Sequence, residues 1–259
     1  MSNLLNEFDD DKSAIIEPWY VEKPISGFPE IAVSTFSKSM VDAFASLGGV
    51  ERISEFHSGG GDIPIYKMDY NGTPVAFYLS TVGAPACVTQ LEELIVKGSR
   101  TVVVFGACGV LDKDIAEHHF IIPTSALRDE GTSYHYAPAS DEISADRKSV
   151  EVMVSVMDKM GYPWIKGKTW TIDAPYRETN KKTAIRKSQG CVSVEMECAA
   201  LLAVTKFRDI KFAQFLYAVD NLDATNWDPR HLLSSNYGLT QKERYMLVAF
   251  EVASALSRA

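Results

Sequence analysis

Residues 101–105 read Thr-Val-Val-Val-Phe, five consecutive residues of high strand preference. A run with no polar face is stable only where both sides are covered, the condition of a central strand between layers of helix. Gly106-Ala107-Cys108-Gly109 follows at once. Such small residues let the backbone come close to a ligand or a neighbouring element, so a strand-to-loop turn is expected there. The remaining chain supplies the covering helices and further strands. Residues 31–34 are strand-like, and Met40, Val41, Phe44 and Leu47 fall on helical spacing before Gly48-Gly49. Asn71-Gly72 predicts a hairpin joining 64–69 to 75–80. Pro85 opens a helix with Leu91, Leu94 and Ile95 on one face, and Gly98 closes it. Strands are expected at 118–122 (ending at Pro123), 168–172, 191–194 and 211–219, and helices at 147–160, 178–189 and 241–257, the last with Leu247, Phe250 and Leu256. A helix through Met196, Ala199, Ala200, Ala203 and Val204 follows the 191–194 strand, while 128–138 and 220–237 read as loops. Strand–helix–strand units imply a mixed or mostly parallel sheet covered by helices, with ligands beyond the carboxyl ends of the strands.

Of the 259 residues 46% are apolar, enough to fill one substantial core. The expected organisation is an irregular arm at 1–18 and a single domain over 19–259. A net charge of −8 without a basic block argues against a nucleic-acid partner. No apolar run reaches the roughly 18–20 residues that span a bilayer, so no membrane partner is expected. The acidic start MSNLLNEFDDDKS lacks the pattern of a signal peptide. Cys87, Cys108, Cys191 and Cys198 form no CxxC pair, and the default location is the cytoplasm. There is no HExxH, and His118-His119 on a strand would point opposite ways, so neither a metal nor a cofactor is expected.

Four segments carry candidate chemistry. Val194-Glu195-Met196-Glu197 stands at a strand–helix junction. Glu197 there either complements the helix dipole or accepts two hydrogen bonds from a sugar diol, with Met196 against the sugar's apolar face. Asp220, after an apolar strand, is either a turn residue or a general acid whose pKa is raised by enclosure. Gly106–Gly109 either packs tightly or offers N–H groups to an anion. Gly131-Thr132-Ser133-Tyr134-His135-Tyr136 would stack on a flat ring or serve a subunit interface.

The segments GAPACVTQLEEL, TVVVFGACGVL, RDEGTSYHYAP and VSVEMECAALLAV, with YAVDN beyond, together resemble the nucleoside phosphorylase superfamily. They span about 83–221, and LRDEGTSYHYAP resembles the uridine phosphorylase branch. The resemblance implies a three-layer α/β/α sandwich around a central mixed, partly barrel-like sheet. It implies a pentosyltransferase that cleaves the N-glycosidic bond of a nucleoside by phosphorolysis, with phosphate as co-substrate. A nucleosidase using water and a non-catalytic nucleoside-binding sensor are the alternatives. Glu197 would bind the ribose diol, Met196 the sugar face, and Val194 the nucleoside. Asp220 would protonate a departing purine. Thr81, Gly83 and Gly106 would border the substrate. Tyr134 and His135, with Tyr176 and Arg177 of the 173–177 segment, would border the base or a neighbouring subunit. A homo-oligomer, dimer or hexamer, would complete the pocket.

The chain departs from the family at the anion site. Val104 and Ala107 stand where phosphorolytic members keep an arginine and a Ser or Thr. The loop Ser34-Thr35-Phe36-Ser37-Lys38-Ser39 lacks the usual arginine, and the segment from His57 to Asp62 offers no third. Phosphate needs charge compensation and many donors. Thr35, Ser37, Lys38 and Ala107, with Thr81, are the residues left to hold an anion. Asp220 suits a purine, whereas the LRDEGTSYHYAP segment suits a pyrimidine.

Overall fold

The computed structural model describes residues 4–224, 226–230 and 239–259. The arm has a 3-10 turn at Leu4–Asn6 and then no regular structure up to the short helix α1 (Pro18–Val21); residues 1–3 of the expected arm lie outside the described residues. The first half continues through β1 (Ile31–Thr35), α2 (Lys38–Ala45), β2 (Glu51–Phe56), β3 (Ile63–Tyr70), β4 (Thr73–Leu79), α3 (Ala84–Lys97) and β5 (Thr101–Val110). The second half has β6 (Phe120–Asp129), β7 (Glu142–Ser144), α4 (Arg147–Met160), β8 (Trp164–Ile172), α5 (Asn180–Ser188), β9 (Cys191–Glu195), α6 (Cys198–Arg208), β10 (Lys211–Asn221) and α7 (Leu239–Arg258).

The strands share one sheet in the order β10-β6-β8-β9-β5-β1-β4-β3-β2, with β7 beside β6. β10 also pairs in parallel with β5, from Lys211↔Thr101 to Asn221↔Val110. That second pairing closes β5, β10, β6, β8 and β9 into a ring, while β1, β4, β3 and β2 continue as an open sheet. Pairing is mixed: β1 runs parallel to β4 and β5, whereas β5–β9 and β6–β10 are antiparallel.

Alternation along β5 explains the unbroken apolar run. Val103 and Phe105 join the core under α2, α4 and α7, with Met40, Phe44, Met157 and Phe250. Val102 and Val104 join the opposite core under α3 and α6, with Leu91, Leu94 and Ala203. Burying each such side chain contributes about 1.5–3 kcal/mol, so both helix layers are held by one strand. The result is the expected three-layer α/β/α sandwich around a mixed, partly barrel-like sheet. The hairpin also forms as expected: Asn71 and Gly72 have φ of 52° and 81°, and Tyr70 pairs with Thr73.

Several local expectations are corrected. Gly106–Gly109 is not a loop, because β5 continues to Val110 with β10 on one side and β9 on the other. Pro123 does not end its strand; β6 runs through it to Asp129, with a register shift against β8 between Pro123 and Ser125 that absorbs the missing N–H. His118 and His119 precede β6, and His118 has a φ of 67°, so they do not alternate on a strand. The segment 128–138 holds the end of β6 and a 3-10 turn at Thr132–His135. Met196 lies before α6, and Leu47 and Leu247 are exposed. Of the loop expected over 220–237, residues 220–221 belong to β10, and residues 225 and 231–237 lie outside the described residues. Asn221 and Asp228 exchange backbone hydrogen bonds at 2.9 and 3.2 Å, folding the start of that loop back on itself.

Candidate active site

One row of paired residues organises the carboxyl ends of the strands: Trp170 on β8 opposes Val194 on β9, which opposes Gly109 on β5, which opposes Asp220 on β10. Gly109 makes this row possible. A Cβ there would lie 2.4 Å from Leu222, 3.1 Å from Val194 and 3.2 Å from an Asp220 carboxylate oxygen. The missing side chain lets Val194 and Asp220 converge over β5.

The acid pair then divides its roles. Glu195 Oε1 accepts from Thr171 Oγ1 at 2.6 Å, and its Oε2 accepts from the Glu197 and Cys198 N–H groups at 2.7 and 2.6 Å. Glu195 thus ties β9 to the start of α6 and serves the exposed amides of a helix N-terminus. Glu197 Oε1 instead accepts from Gly83 N–H across the site at 2.6 Å, and its Oε2 from Met196 N–H at 3.3 Å. Gly83 has a φ of 98°, a conformation that side chains resist, immediately before Ala84-Pro85 begin α3. Glu197 is only 5% exposed. Burial pushes both carboxyls up, with Glu197's charge the second cause at Glu195 and hydrogen-bond donors opposing the shift at each. Thr81 lies two residues from Gly83, and its N–H donates to Gln90 Oε1 at 2.7 Å.

Asp220 Oδ2 accepts from Trp227 Nε1 at 2.8 Å. Burial raises its carboxyl above the usual aspartate range, against the opposing effects of that bond and of the Arg230 guanidinium. Glu178, which follows the 3-10 turn Pro175–Arg177, is pushed up to about 7 by burial and then by Asp220. Sequence reasoning missed Glu178, Trp227 and Arg230. Glu178 borders the 173–177 segment already singled out, but nothing in a local pattern shows that β8 and β10 end close together.

The anion-site candidates are only partly assembled. Thr35 is buried, and its Oγ1 accepts from Ser37 N–H at 3.4 Å. Ser37 Oγ lies 3.1 Å from Ser39 Oγ. Lys38 Nζ is held by Asp42 at 2.6 and 2.8 Å on the exposed side of α2. Phe36 lies over Gly106, where an added Cβ would be 2.7 Å from its ring. Ala107 is exposed, and Val104 is buried in the core.

The ring-stacking candidates separate. The Arg128 guanidinium lies 4.0 Å from the Tyr134 ring centroid, and Tyr134 Oη donates to the Arg128 carbonyl at 3.2 Å. His135 is exposed and lines a cavity beneath the N-terminal arm, together with Gly131 and Thr132. Tyr176 is 99% exposed. Arg177 lines a cavity of about 320 Å³ with Asp129, Asp173 and Lys182. Among the described residues one grouping, Glu55, His57 and Asp62, brings metal-ligand atoms within 4.8 Å of one another. His57 Nδ1 lies 2.9 Å from Asp62 and Nε2 3.8 Å from Glu55, so the two carboxylates flank different edges of the ring.

Known proteins share this fold. The fold is similar to uridine phosphorylase from Vibrio fischeri ES114, with a TM-score of 0.76, 20% identity, and 92% of this chain and 95% of that one covered. It is also similar to purine nucleoside phosphorylase from Toxoplasma gondii, with a TM-score of 0.74, 16% identity, and 89% and 92% covered. In sequence the chain is 24% identical to guanosine phosphorylase of Halorubrum lacusprofundi over 197 residues, 76% of this chain and 80% of the relative. It is 28% identical to uridine phosphorylase of Treponema pallidum over 160 residues, 58% of this chain and 62% of the relative. Residues 30–242 match the Phosphorylase superfamily, and the chain belongs to this family of nucleoside phosphorylases.

Proposed function

We propose that the chain cleaves the N-glycosidic bond of a nucleoside by phosphorolysis, releasing the free base and ribose or deoxyribose 1-phosphate. The observation that carries this reading is Glu197, a buried carboxylate fixed on Gly83 N–H at 2.6 Å and three residues beyond the Val194–Gly109–Asp220 row. Glu197 accepts the ribose O2′ and O3′ hydroxyls, Met196 packs on the sugar, and Val194 lines the nucleoside pocket. As the C1′–N bond breaks, its electron pair passes to the base and positive charge develops on the sugar. The Glu197 bonds tighten with that charge. Asp220, raised by burial, gives its proton to a purine base. A phosphate oxygen then bonds to C1′. The relatives named above include phosphorylases of guanosine and of uridine, and Asp220 favours the purine side.

A second reading, hydrolysis by water, is favoured by one observation: Phe36 covers Gly106 while Lys38 is engaged by Asp42. A panel of nucleosides incubated with and without phosphate separates the readings. Phosphate-dependent ribose 1-phosphate supports phosphorolysis, free ribose without phosphate supports hydrolysis, and nucleoside binding without base release supports a sensor. The reading extends to a homo-oligomer in the cytoplasm with no resident cofactor. Exposed Ile15, Ile16, Tyr20 and Val21 on and beside the arm support the subunit contact.

A further inference from the structure

Asp220 is the penultimate residue of β10, and its two carboxylate oxygens have different surroundings. Oδ2 accepts from Trp227 Nε1 at 2.8 Å. Oδ1 lies over Gly109, where an added Cβ would be 3.2 Å from it and 3.1 Å from Val194. One oxygen is thus fixed by the following loop, and the other faces the row that borders the proposed nucleoside pocket. The loop is built to hold that bond. Asn221 and Asp228 exchange backbone hydrogen bonds, so the chain doubles back and returns Trp227 to the strand end. Asn221 Oδ1 accepts from Asp223 N–H at 2.8 Å, and Asp223 Oδ2 accepts from Lys113 N–H at 3.1 Å and Lys187 Nζ at 2.6 Å. Asp228 Oδ1 accepts from Arg230 N–H at 3.0 Å, and the Arg230 guanidinium donates to the Ile115 carbonyl at 2.8 Å. Trp227 is nonetheless 55% exposed. A side chain this open is not placed by core packing, and its anchored atom is the indole nitrogen. Other charges also face Asp220. Burial raises its carboxyl, the Trp227 bond, Arg230 and its own N–H oppose the rise, and Asp228 adds to it. Glu178 and the buried Cys108 thiol are raised by burial and then by Asp220.

We propose that Trp227 is a positioning residue for the candidate general acid: by donating to Oδ2 it confines the Asp220 proton to Oδ1, the oxygen facing Gly109 and Val194. An indole N–H is a donor only, so the oxygen it meets serves as the carbonyl oxygen of the protonated acid and the hydroxyl falls on the other. The inference rests on the general-acid reading of Asp220. In the step, the Oδ1 proton passes to the free imidazole nitrogen of the purine as the electron pair of the C1′–N bond moves into the base. Asp220 is left a carboxylate, and the Trp227 bond becomes charge-assisted and stronger. The N–H that aims the proton therefore also stabilises the acid once the proton has left. The test follows kcat/KM across pH for guanosine and for 7-methylguanosine, whose methylated ring nitrogen already carries the positive charge that protonation supplies. Asp220→Asn is expected to slow guanosine more than 7-methylguanosine. Trp227→Phe keeps a ring and removes the N–H. It is expected to lose at least ~5-fold more on guanosine than on 7-methylguanosine, a fraction of the ~100-fold or more that a general acid supplies. The alkaline limb of its guanosine profile moves to higher pH, because a donor that favoured the carboxylate is gone. A purely structural role would slow both substrates alike and leave the limb in place. If Asp220→Asn does not distinguish the substrates, the general-acid reading fails and this inference falls with it. If Asp220→Asn distinguishes them and Trp227→Phe does not, the positioning role alone is overturned. A measurement without substrate decides independently of turnover: the indole N–H resonance missing from Trp227→Phe should shift with pH in the unaltered protein and lose that titration in Asp220→Asn, and a resonance indifferent to Asp220 overturns the proposal.

Discussion

Glu195 and Glu197 are two residues apart yet chemically unlike, because the backbone turns between them. Glu195 is satisfied by three donors from its own surroundings, while Glu197 reaches across to Gly83. Glu197→Gln is expected to lower turnover at least ~10-fold by weakening a charge-assisted bond, as steady-state rates over a nucleoside panel would show; an unchanged rate on every cleaved nucleoside removes the ribose assignment. Asp220→Asn is expected to slow purine nucleosides more than uridine, and equal losses would discard the general-acid role. Glu178 gives a pH prediction. Its folded value of about 7 lies above the ordinary glutamate range, so the folded state holds the proton more tightly. Its contribution to stability is therefore fully present at low pH and is lost as pH rises from that range through about 7. Glu178→Gln should leave stability at pH 5 nearly unchanged and raise it at pH 8 by about 1 kcal/mol, after discounting for its partial exposure. Urea melts at the two pH values measure the difference, and an equal effect at both would show that Glu178 does not titrate in this window.

At the scale of elements, the junctions between strands and helices hold the site. Thr171 Oγ1 donates to Glu195 and accepts from Ala199 N–H at 3.0 Å, linking β8 to α6. Thr171→Val keeps the shape but strands both partners, and should cost about 1–3 kcal/mol in a denaturant titration; a loss below 0.5 kcal/mol would show that the link is dispensable. Legibility in the sequence also varied by element. The Thr101–Phe105 run, the Asn71-Gly72 turn and the Pro85 helix start declare themselves locally, since each obeys steric or burial rules that act over a few residues. β2 escaped notice because Glu51–Phe56 is an edge strand, paired only with β3, and its exposed start dilutes the apolar pattern. Gly106–Gly109 looked like a loop because its strand character comes from neighbours on both sides and not from its own preference. The acid pair was legible as a candidate, but the division of labour between its members required the positions of Gly83 and Thr171. The expected anion grip required Lys38 to be available, and its ion pair with Asp42 is an ordinary i,i+4 contact on α2 that competes with that use.

Across the whole molecule, the exposed apolar residues of the arm region carry the oligomer prediction. Ile15 is 99% exposed beside the similarly open Ile16. Replacing both with Asp should move the protein to a smaller species in light scattering after gel filtration, whereas an unchanged mass would place the subunit contact elsewhere. The closed ring has a different consequence, for biosynthesis. Its closing strand β10 pairs Lys211 with Thr101, a separation of 110 residues (211 − 101), and also delivers Asp220. Such long-range pairing is slow to form and cannot begin until both partners exist. A nascent chain emerging from the ribosome therefore holds β5 with one flank bare until β10 is made. The strand that seals this flank brings the candidate acid with it, so a chain stalled before residue 211 would lack the seal and the chemistry together, and its uncovered β5 edge would be open to capture by chaperones.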